Sequence, residues 1–474
     1  MEVNEYSVPI ENFKKKVNGK PVAVVGIGVS NVPLIKFLVG MGSKVTAYDR
    51  RTKEQLGDTY SELSALGVSF ILGDSYLDKI DDDIKVIFKT PGIRFDVPAL
   101  SKAVQNGAEL TSEMELFFEL CPADIIAVTG SDGKTTTTSL IYEMLKRGGY
   151  NCYLGGNIGS PLIGEVEKIK HNDKVVVELS SFQLQTMKMS PKIAVVTNVT
   201  PNHLDWHTDF DEYISAKKTI FLNQGSDGKV VLNYDNDITR EFNNETANGI
   251  YFSRKNRLNN GYCLNDDMII SFYNDGHIER EILSVEDIYI PGMHNVENYM
   301  AAIAAVDGLV SDDIIRKTAK EFVGVPHRIE FVRELDGVKY YNDSIASSPA
   351  RTTAGLNSFD KKVVLIAGGY DKKIPFEEFG SVVNNKVKSL VLCGFTADKI
   401  EDAVKSAQNY NENNIPIYKC SLFEDAVKKA KEIAEAGDVV ILSPACASFD
   451  LFKNFEERGN TFKNIVNSLS LIHI

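Results

Sequence analysis

Long apolar runs are missing from this chain. No stretch approaches the ~20 apolar residues that a membrane-spanning helix needs. The amino-terminal segment MEVNEYSVPIENFKKKVNGK has no apolar centre of the kind a secretory signal carries. A cytoplasmic protein without membrane insertion is expected. Cysteines are few: Cys121, Cys152, Cys263, Cys393, Cys420 and Cys446 are scattered, with no CxxC and no zinc-ligand spacing. They read as small buried thiols in a reducing compartment. Positive charge is in deficit. The 52 Lys and Arg against 65 Asp and Glu leave a net charge of −13. Phosphate-coated surfaces repel such a field, which excludes a general nucleic-acid or acidic-membrane binder but not a local basic pocket. Tandem repeats and low-complexity segments are absent too.

What is present is ordinary globular composition, 43% apolar and 25% charged, over 474 residues. That length is too great for one hydrophobic core and suits roughly three domains. Short apolar runs alternate with helical stretches, which implies parallel sheets. VAVVGIG, NVPLIKFLVGMG and KVTAYD read as strand, helix and strand, and VIFKTPGI adds a strand before a Pro-Gly loop. A second unit opens at ADIIAVTG and continues through the buried strands KVVVELSS and KIAVVTNV. Between about 225 and 290, KVVLNYD, GIYFSR and MIISFYNDGHIEREIL read as short antiparallel strands with Asn/Asp/Gly turns. A third unit begins near GVPHRIEFV, with strands KKVVLIAGG, SLVLCGF and DVVILSPA. The fold expected is α/β in three serial domains, 1–108, 109–324 and 325–474. The first and last are Rossmann-like, and the central one is of P-loop ATPase type with a small antiparallel sheet.

The pentapeptide GSDGK occurs twice, and its surroundings separate the copies. A phosphate cradle needs converging backbone N–H groups, a helix N-terminus and a Lys. The first copy follows the strand DIIAVT, supplies Gly130 and Gly133 for a tight loop, and continues into Lys134 and a threonine run that opens an amphipathic helix. Thr135 stands where a hydroxyl can bind Mg²⁺. The second copy ends at Lys229 and runs into VVLNYD, a strand, so 225–229 reads as a solvated hairpin or connecting turn. The first copy departs from GxxxxGK[ST] by having Val128 where that pattern has its first Gly. Near the amino terminus GIGVSN resembles a dinucleotide fingerprint with Asn31 in place of the third Gly, and Asp49 and Arg50 end the next strand, where they could meet a ribose or a base. The alternative there is a strand–turn–helix that binds nothing.

Glu178 ends a buried strand, where open α/β sheets place ligands, and suits Mg²⁺. TNVTPNHLDWH puts His203 and His207 after the next strand. Thr135, Glu178 and His203 are expected to converge, with His207 solvated. Lys217 and Lys218 on YISAKKTIF read, by composition alone, as a solvated pair.

Together the stretches TGSDGKTTTT, GGNIGSP, ELSSFQL, TNVTPNHLDWH, SAKKTIF, PGMHNVENYMAA, GVPHRIE, NDSIASSP and LSPACASFDLFKNFEERG resemble the Mur ligase family over nearly the whole chain. These are ATP-dependent amide-forming ligases of bacterial cell-wall precursor assembly, and the altered phosphate loop is their usual form. The last stretch, with ELSSFQL, is most similar to the members that add D-glutamate to UDP-N-acetylmuramoyl-L-alanine. The resemblance implies an acyl-phosphate route that releases ADP and phosphate. It implies that the loop residues Gly130, Ser131, Asp132, Gly133, Lys134, Thr135 and Thr136 bind ATP, together with Asn295, Asn298, Arg328 and Asp343. Two Mg²⁺ sites would use Thr135, Glu178 and His203, and Lys217 would carry a CO₂-derived carbamate as a further ligand. Gly28, Val29, Asp49, Arg50, Gly92, Asn157 and His203 would hold the UDP substrate. Ser347, Lys372, Ser448, Phe449 and Phe455 would hold D-glutamate, with Ser448 and Phe449 at a helix start suited to a carboxylate. The register of Lys372 against Lys373 is open, and Ile345 stands where some members have a lysine. Domain closure around small-molecule substrates is expected, by a monomer. Another ligase of this family or a folylpolyglutamate-type ligase remains the nearest alternative. A nicotinamide-dependent oxidoreductase is an alternative of another class, one that leaves the phosphate loop, Glu178 and His203 unexplained.

Overall fold

The structure, a computed structural model, describes residues 8–80, 82–204, 206–371, 374–411 and 415–469. It forms two compact units: 1–288 with 293–321, and 289–292 with 322–474. The first unit carries two sheets. The strands β1 (Pro21–Val25), β2 (Lys44–Asp49), β3 (Ser69–Leu72), β4 (Val86–Lys89) and β5 (Glu109–Thr111) pair in the order β3-β2-β1-β4-β5, all parallel. Chain direction across the sheet reverses between β1 and β4, so the loops after these two strands flank a crevice at the carboxyl edge. The division expected after 108 stands just ahead of the edge strand β5. Glu109–Thr111 pairs with β4, and so short an edge strand has no periodicity of its own to reveal it.

The second sheet holds β6 (Asp124–Thr129), β7 (Cys152–Gly156), β8 (Lys174–Glu178), β9 (Ile193–Val196), β10 (Lys229–Asn233), β11 (Gly249–Ser253), β12 (Gly261–Asn265), β13 (Met268–Tyr273) and β14 (Ile278–Ser284). Their order is β14-β13-β12-β11-β10-β9-β6-β8-β7. Every residue of β8 is buried, as suits a parallel strand covered on both faces. The antiparallel strands expected between 225 and 290 are present as β12–β14, but they extend the main sheet and do not form one of their own. KVVLNYD and GIYFSR differ from expectation. As β10 and β11 they run parallel, because the connection between them contains the helix Asp237–Glu241 and is long enough for a crossover. The second GSDGK copy is a connecting turn between the helix Phe210–Leu222 and β10, closed by Gly228 N to Gly225 O at 3.0 Å. One apolar cluster runs from Val22 and Val24 of β1, through Met114 and Phe117 of the helix Glu113–Leu120, to Ile125 and Ala127 of β6, so the two sheets share a core.

The second unit has β15 (Glu330–Leu335), β16 (Val338–Asn342), β17 (Val363–Ala367), β18 (Val387–Cys393), β19 (Ile417–Cys420) and β20 (Val439–Leu442), in the order β15-β16-β20-β17-β18-β19. All neighbours are parallel except the β15–β16 hairpin. That hairpin turns on Asp336 (φ 54°) and Gly337 (φ 76°), the left-handed pair a two-residue hairpin loop favours.

Candidate functional site

The parallel order β9-β6-β8 brings three loops to one carboxyl edge. They are the phosphate loop after β6, Glu178 at the end of β8, and the segment after β9. Gly130 adopts φ 149°, and a Cβ there would lie 1.9 Å from Thr197 Oγ1. Gly133 has φ 78°, and its Cβ would meet Asn298 Oδ1 at 2.3 Å. Both positions therefore require glycine. The first bond of the helix Lys134–Arg147 runs from Thr137 N to Gly133 O, so the amides ahead of it point out from the helix start, the geometry that receives an anion. Ser131 and Asp132 commit their amides elsewhere, to Asn198 O and Asn198 Oδ1, both at 2.9 Å. Asn198 thus straps the loop. It was missed in the sequence, although the quoted TNVT stretch contains it. Lys134 Nζ is folded onto the loop, donating to Gly130 O and Ser131 O at 2.9 Å each. Asn298 and Asn295 are buried and joined at 3.1 Å, and Thr137 Oγ1 lies 3.3 Å from Asn298 Oδ1. Thr136 is buried in the first turn of the same helix.

Glu178 is buried with both carboxylate oxygens held. Thr135 Oγ1 donates to Oε2 at 2.7 Å, and Asn157 Nδ2 donates to Oε1 at 2.8 Å. Of the three residues expected to converge, Thr135 and Glu178 are in direct contact. His203 reaches the same edge on the 197–207 segment, exposed, at φ 54°, with its ring edge-on to Phe182 at 4.9 Å. His207 is not solvated. It is buried, bonded through Nε2 to Ser181 Oγ at 2.9 Å, and 3.4 Å from Glu212 through Nδ1. Burial lowers its pKa. Among the described residues, no three His, Cys, Asp or Glu side chains cluster to hold a metal ion. The donors present, one carboxylate and one hydroxyl, fit Mg²⁺ of the kind that takes its other ligands from phosphates and water.

Lys217 contradicts its compositional reading as solvated. It is 1% exposed, and Nζ donates to Gly130 O at 2.8 Å and lies 4.6 Å from the Tyr213 ring centroid. Burial, with Lys134 nearby, pushes its pKa well down. Lys218 does sit outward, paired with Glu245 at 2.5 Å. Tyr213, missed in the sequence, shares a 2.9 Å hydrogen bond with Ser131 Oγ. Its position one helical turn before Lys217 was the available signal.

At the crevice of the first sheet, Asp49 is buried and accepts from Ile27 N at 2.7 Å and from Arg51 N and Nε at 2.9 Å. Asp49 therefore ties the glycine turn to Arg51, which sequence reasoning passed over. Arg50 faces solvent and pairs with Asp74 at 3.2 Å. Asn31 is buried and donates to Gly26 O at 2.7 Å, bracing the turn from the place of the missing Gly. Val29 is 84% exposed beside Gly28, and Gly92 O accepts from Trp206 Nε1 at 3.4 Å.

In the second unit, Asp343 is buried at the end of β16, and burial raises its pKa to about 7 against the pull of Ser443 and Arg328. Ser443 Oγ donates to it at 2.7 Å. Arg328 sits half-buried between two left-handed residues, His327 (φ 65°) and Ile329 (φ 44°). Ser448 and Phe449 do not start a helix. They lie in a turn closed by Phe452 N to Ser448 O at 2.9 Å, and the helix begins at Phe455 with Asn454 as its cap, because Asn454 Oδ1 accepts from Glu457 N at 2.8 Å. Ser448 is buried, Phe449 is exposed against Tyr370, and Phe455 packs edge-on to His327 at 5.9 Å. Ser347 is half-buried in the loop after β16. Buried Arg458, unremarked in the sequence, joins these loops by donating to Ser344 O at 2.8 Å, Ala447 O at 3.0 Å and Cys446 O at 3.1 Å. Lys372 and Lys373 lie outside the described residues.

Parallel α/β sheets in series, the middle one with a phosphate loop at its carboxyl edge, define a multidomain α/β protein of the phosphate-loop type. Family models narrow this. The Mur ligase MurD-like N-terminal domain matches 20–112, the Mur ligase middle domain 128–306, and the Mur ligase glutamate ligase domain 327–446. The chain is 57% identical to a protein of Acetivibrio thermocellus named UDP-N-acetylmuramoylalanine--D-glutamate ligase, over 97% of this chain and 99% of that one. It is 53% identical to the protein of that name from Ruminiclostridium cellulolyticum, over the same shares. The chain belongs to the Mur ligase family. Its fold is shared by UDP-N-acetylmuramate-alanine ligase MurC of Thermotoga maritima (TM-score 0.57, 19% identity, 94% of this chain and 99% of that one). MurF ligase of the same organism, solved with ADP, is similar too (TM-score 0.55, 18% identity, 96% of each chain).

Proposed function

We propose that this chain is an ATP-dependent ligase that joins D-glutamate to UDP-N-acetylmuramoyl-L-alanine in peptidoglycan precursor synthesis. Full-length relatives above half identity support the substrates. The observation that carries the chemistry is the Thr135–Glu178 pair at the start of the phosphate-loop helix.

A carboxylate is a poor acyl donor because oxide would have to leave. In the proposed reaction its oxygen attacks the γ-phosphorus of ATP, ADP departs, and an acyl phosphate results. The D-glutamate amine then attacks the acyl carbon, loses a proton, and phosphate leaves. Charge grows on oxygen in both steps, so preorganised positive groups favour the transition states. Lys134 is placed to exchange its loop carbonyls for phosphate oxygens, and the outward amides from Gly133 to Thr136 receive the rest. Thr135 and Glu178 would hold one Mg²⁺ and His203 a second, supplying charge stabilisation at the phosphates. Burial, with Lys134 nearby, lowers the pKa of Lys217 and so favours the neutral amine, the form that adds CO₂, which supports its carbamate. Asn295, Asn298, Arg328 and Asp343 would position ATP. Gly28, Val29, Asp49, Arg50, Gly92, Asn157 and His203 would hold the UDP substrate. Ser347, Lys372, Ser448, Phe449 and Phe455 would hold D-glutamate. The three domains would span 1–108, 109–324 and 325–474. A cytoplasmic monomer without a nucleic-acid partner completes the reading; among the described residues no helix is long and apolar enough to cross a membrane.

Phosphate release measured with ATP, UDP-N-acetylmuramoyl-L-alanine and D-glutamate, each omitted in turn, tests the proposal. Release should need all three. Faster turnover with L-alanine, a diamino acid or a dipeptide would reassign the amino-acid site.

A further inference from the structure

We propose that Arg94 is a positioning residue that sets the spacing between the nucleotide end and the reacting carboxylate of the UDP substrate. The inference rests on the reading under Proposed function and adds a residue to it. Arg94 follows β4 two residues after Gly92, in the loop assigned to the UDP part, yet its side chain reaches the elements of the second sheet. A guanidinium has five N–H donors in a planar fork, and here each has an acceptor. Nε and Nη2 grip Asp96 at 2.9 and 2.7 Å. Nη2 and Nη1 grip Glu212 at 2.9 and 3.1 Å. Nη1 also donates to Trp206 O at 2.8 Å. The guanidinium lies over the Trp206 ring at 5.1 Å, and Trp206 Nε1 returns to Gly92 O at 3.4 Å.

The receiving side is itself held. Glu212 accepts from Thr208 N and from Gln185 Nε2, both at 2.7 Å. The next residue, Tyr213, bonds the phosphate-loop Ser131, and one turn on Lys217 bonds Gly130 O. On the other branch, Trp206 packs on Phe182 at 4.6 Å, and Phe182 also contacts His203. One side chain therefore ties the loop of the UDP pocket to both the phosphate loop and the loop of His203. Exposed ion pairs contribute little as a rule, but bidentate and networked geometry is the exception. The two side chains here are only 21% and 20% exposed. An ion pair that merely stabilised the fold would change Tm and leave the ratio of kinetic constants alone. A spacer acts otherwise, because misplacing reacting groups by about 1 Å costs on the order of a hundredfold in rate.

The test uses the full chain and begins with the wild type. No D-glutamate-dependent turnover there removes the functional reading itself. With an active wild type, R94A should bind UDP alone and ATP within about twofold of wild type, while kcat/KM for the UDP-linked substrate falls roughly 10- to 100-fold. R94K should recover only part, since an ammonium cannot make two bidentate pairs. Should R94A fail to fold, E212Q and R94K carry the test. E212Q should lose as much as R94K does, and R94K/E212Q no more than either single change. Wild-type kcat/KM in R94A, an equal loss of UDP or ATP affinity, full rescue by R94K, or additive losses in the double variant would overturn the proposal.

Discussion

At the scale of single residues, Lys134 and Glu113 show how burial and loop geometry decide what a charge can do. Lys134 sits where its ammonium can leave two carbonyls for an anion of greater charge. Lys134→Ala should cut phosphate release by about a hundred- to a thousandfold, while binding of UDP-N-acetylmuramoyl-L-alanine, followed by calorimetry, stays near wild type. Near-normal turnover would remove Lys134 from the chemistry. Glu113 is buried at the start of its helix, and its Oε1 has no hydrogen-bond partner among the described residues. Desolvation raises its pKa from 4.5 to about 7. The folded state therefore holds this proton more tightly than the unfolded chain does. The stability contributed by this one group is full below about pH 4.5 and is lost as pH rises through about 7. Replacing Glu113 by Gln removes that loss. Between pH 5 and pH 8 the Tm difference should move in favour of Glu113→Gln, by up to roughly 3 kcal/mol in stability. A difference that stays flat with pH would show that Glu113 is not the titrating group.

At the scale of elements, the helix Phe210–Leu222 concentrates function in its first two turns. It carries Glu212, Tyr213 and Lys217, and its first turn is fixed by Asp209, whose Oδ1 accepts from Glu212 N at 2.8 Å. Loss of such a cap costs about 1 kcal/mol. Asp209→Ala should lower stability by that amount in denaturant unfolding, and should lower turnover too, because the same turn aims Glu212 at Arg94. A stability loss with unchanged kcat/KM would separate the cap from the site. The β12–β14 extension illustrates the opposite case, an element whose polar network is structural. Tyr273 OH donates to Asp307 at 2.9 Å, and Arg280 Nη2 donates to it at 2.7 Å, clipping the strands to the residue that follows the helix Met293–Val306.

At the scale of the whole molecule, stability comes from apolar cores under parallel sheets, with no covalent staple. All six cysteines are unpaired, and Cys263, Cys393 and Cys446 are buried. Desolvation raises the thiol pKa of Cys393 and Cys446 to about 11, so both are poor nucleophiles in the folded state. A thiol reagent should titrate six groups in denaturant and leave these slow in the native protein, and Tm should not respond to dithiothreitol. Rapid native labelling of Cys446 would contradict its burial. The acidic net charge acts at this scale too, by opposing adsorption to polyanions, while the phosphate site relies on local amides and Lys134.

Much of the fold was legible because its signals are local. Val-rich runs closed by glycine marked the parallel strands, and the threonine run after the first GSDGK distinguished a helix start from the strand VVLNYD after the second. Helix and strand periodicity, and the φ demands of Gly130 and Gly133, act over a few residues, so the chain itself settles them. Sheet order settles what those patterns cannot express. Two lysines in a row looked equally solvated until the β9-β6-β8 arrangement buried Lys217 under the phosphate loop and left Lys218 outside. Arg94 and Glu212 stand 118 residues apart, and no spacing rule joins them. The helix expected at Ser448 moved to Phe455, where Asn454 could cap it. Residue type and local pattern thus determined which elements form and which loop can hold phosphate. Only tertiary packing decided which side chains lose water and meet across the sheet edge, because desolvation and long-range pairing depend on the topology that brings distant segments together.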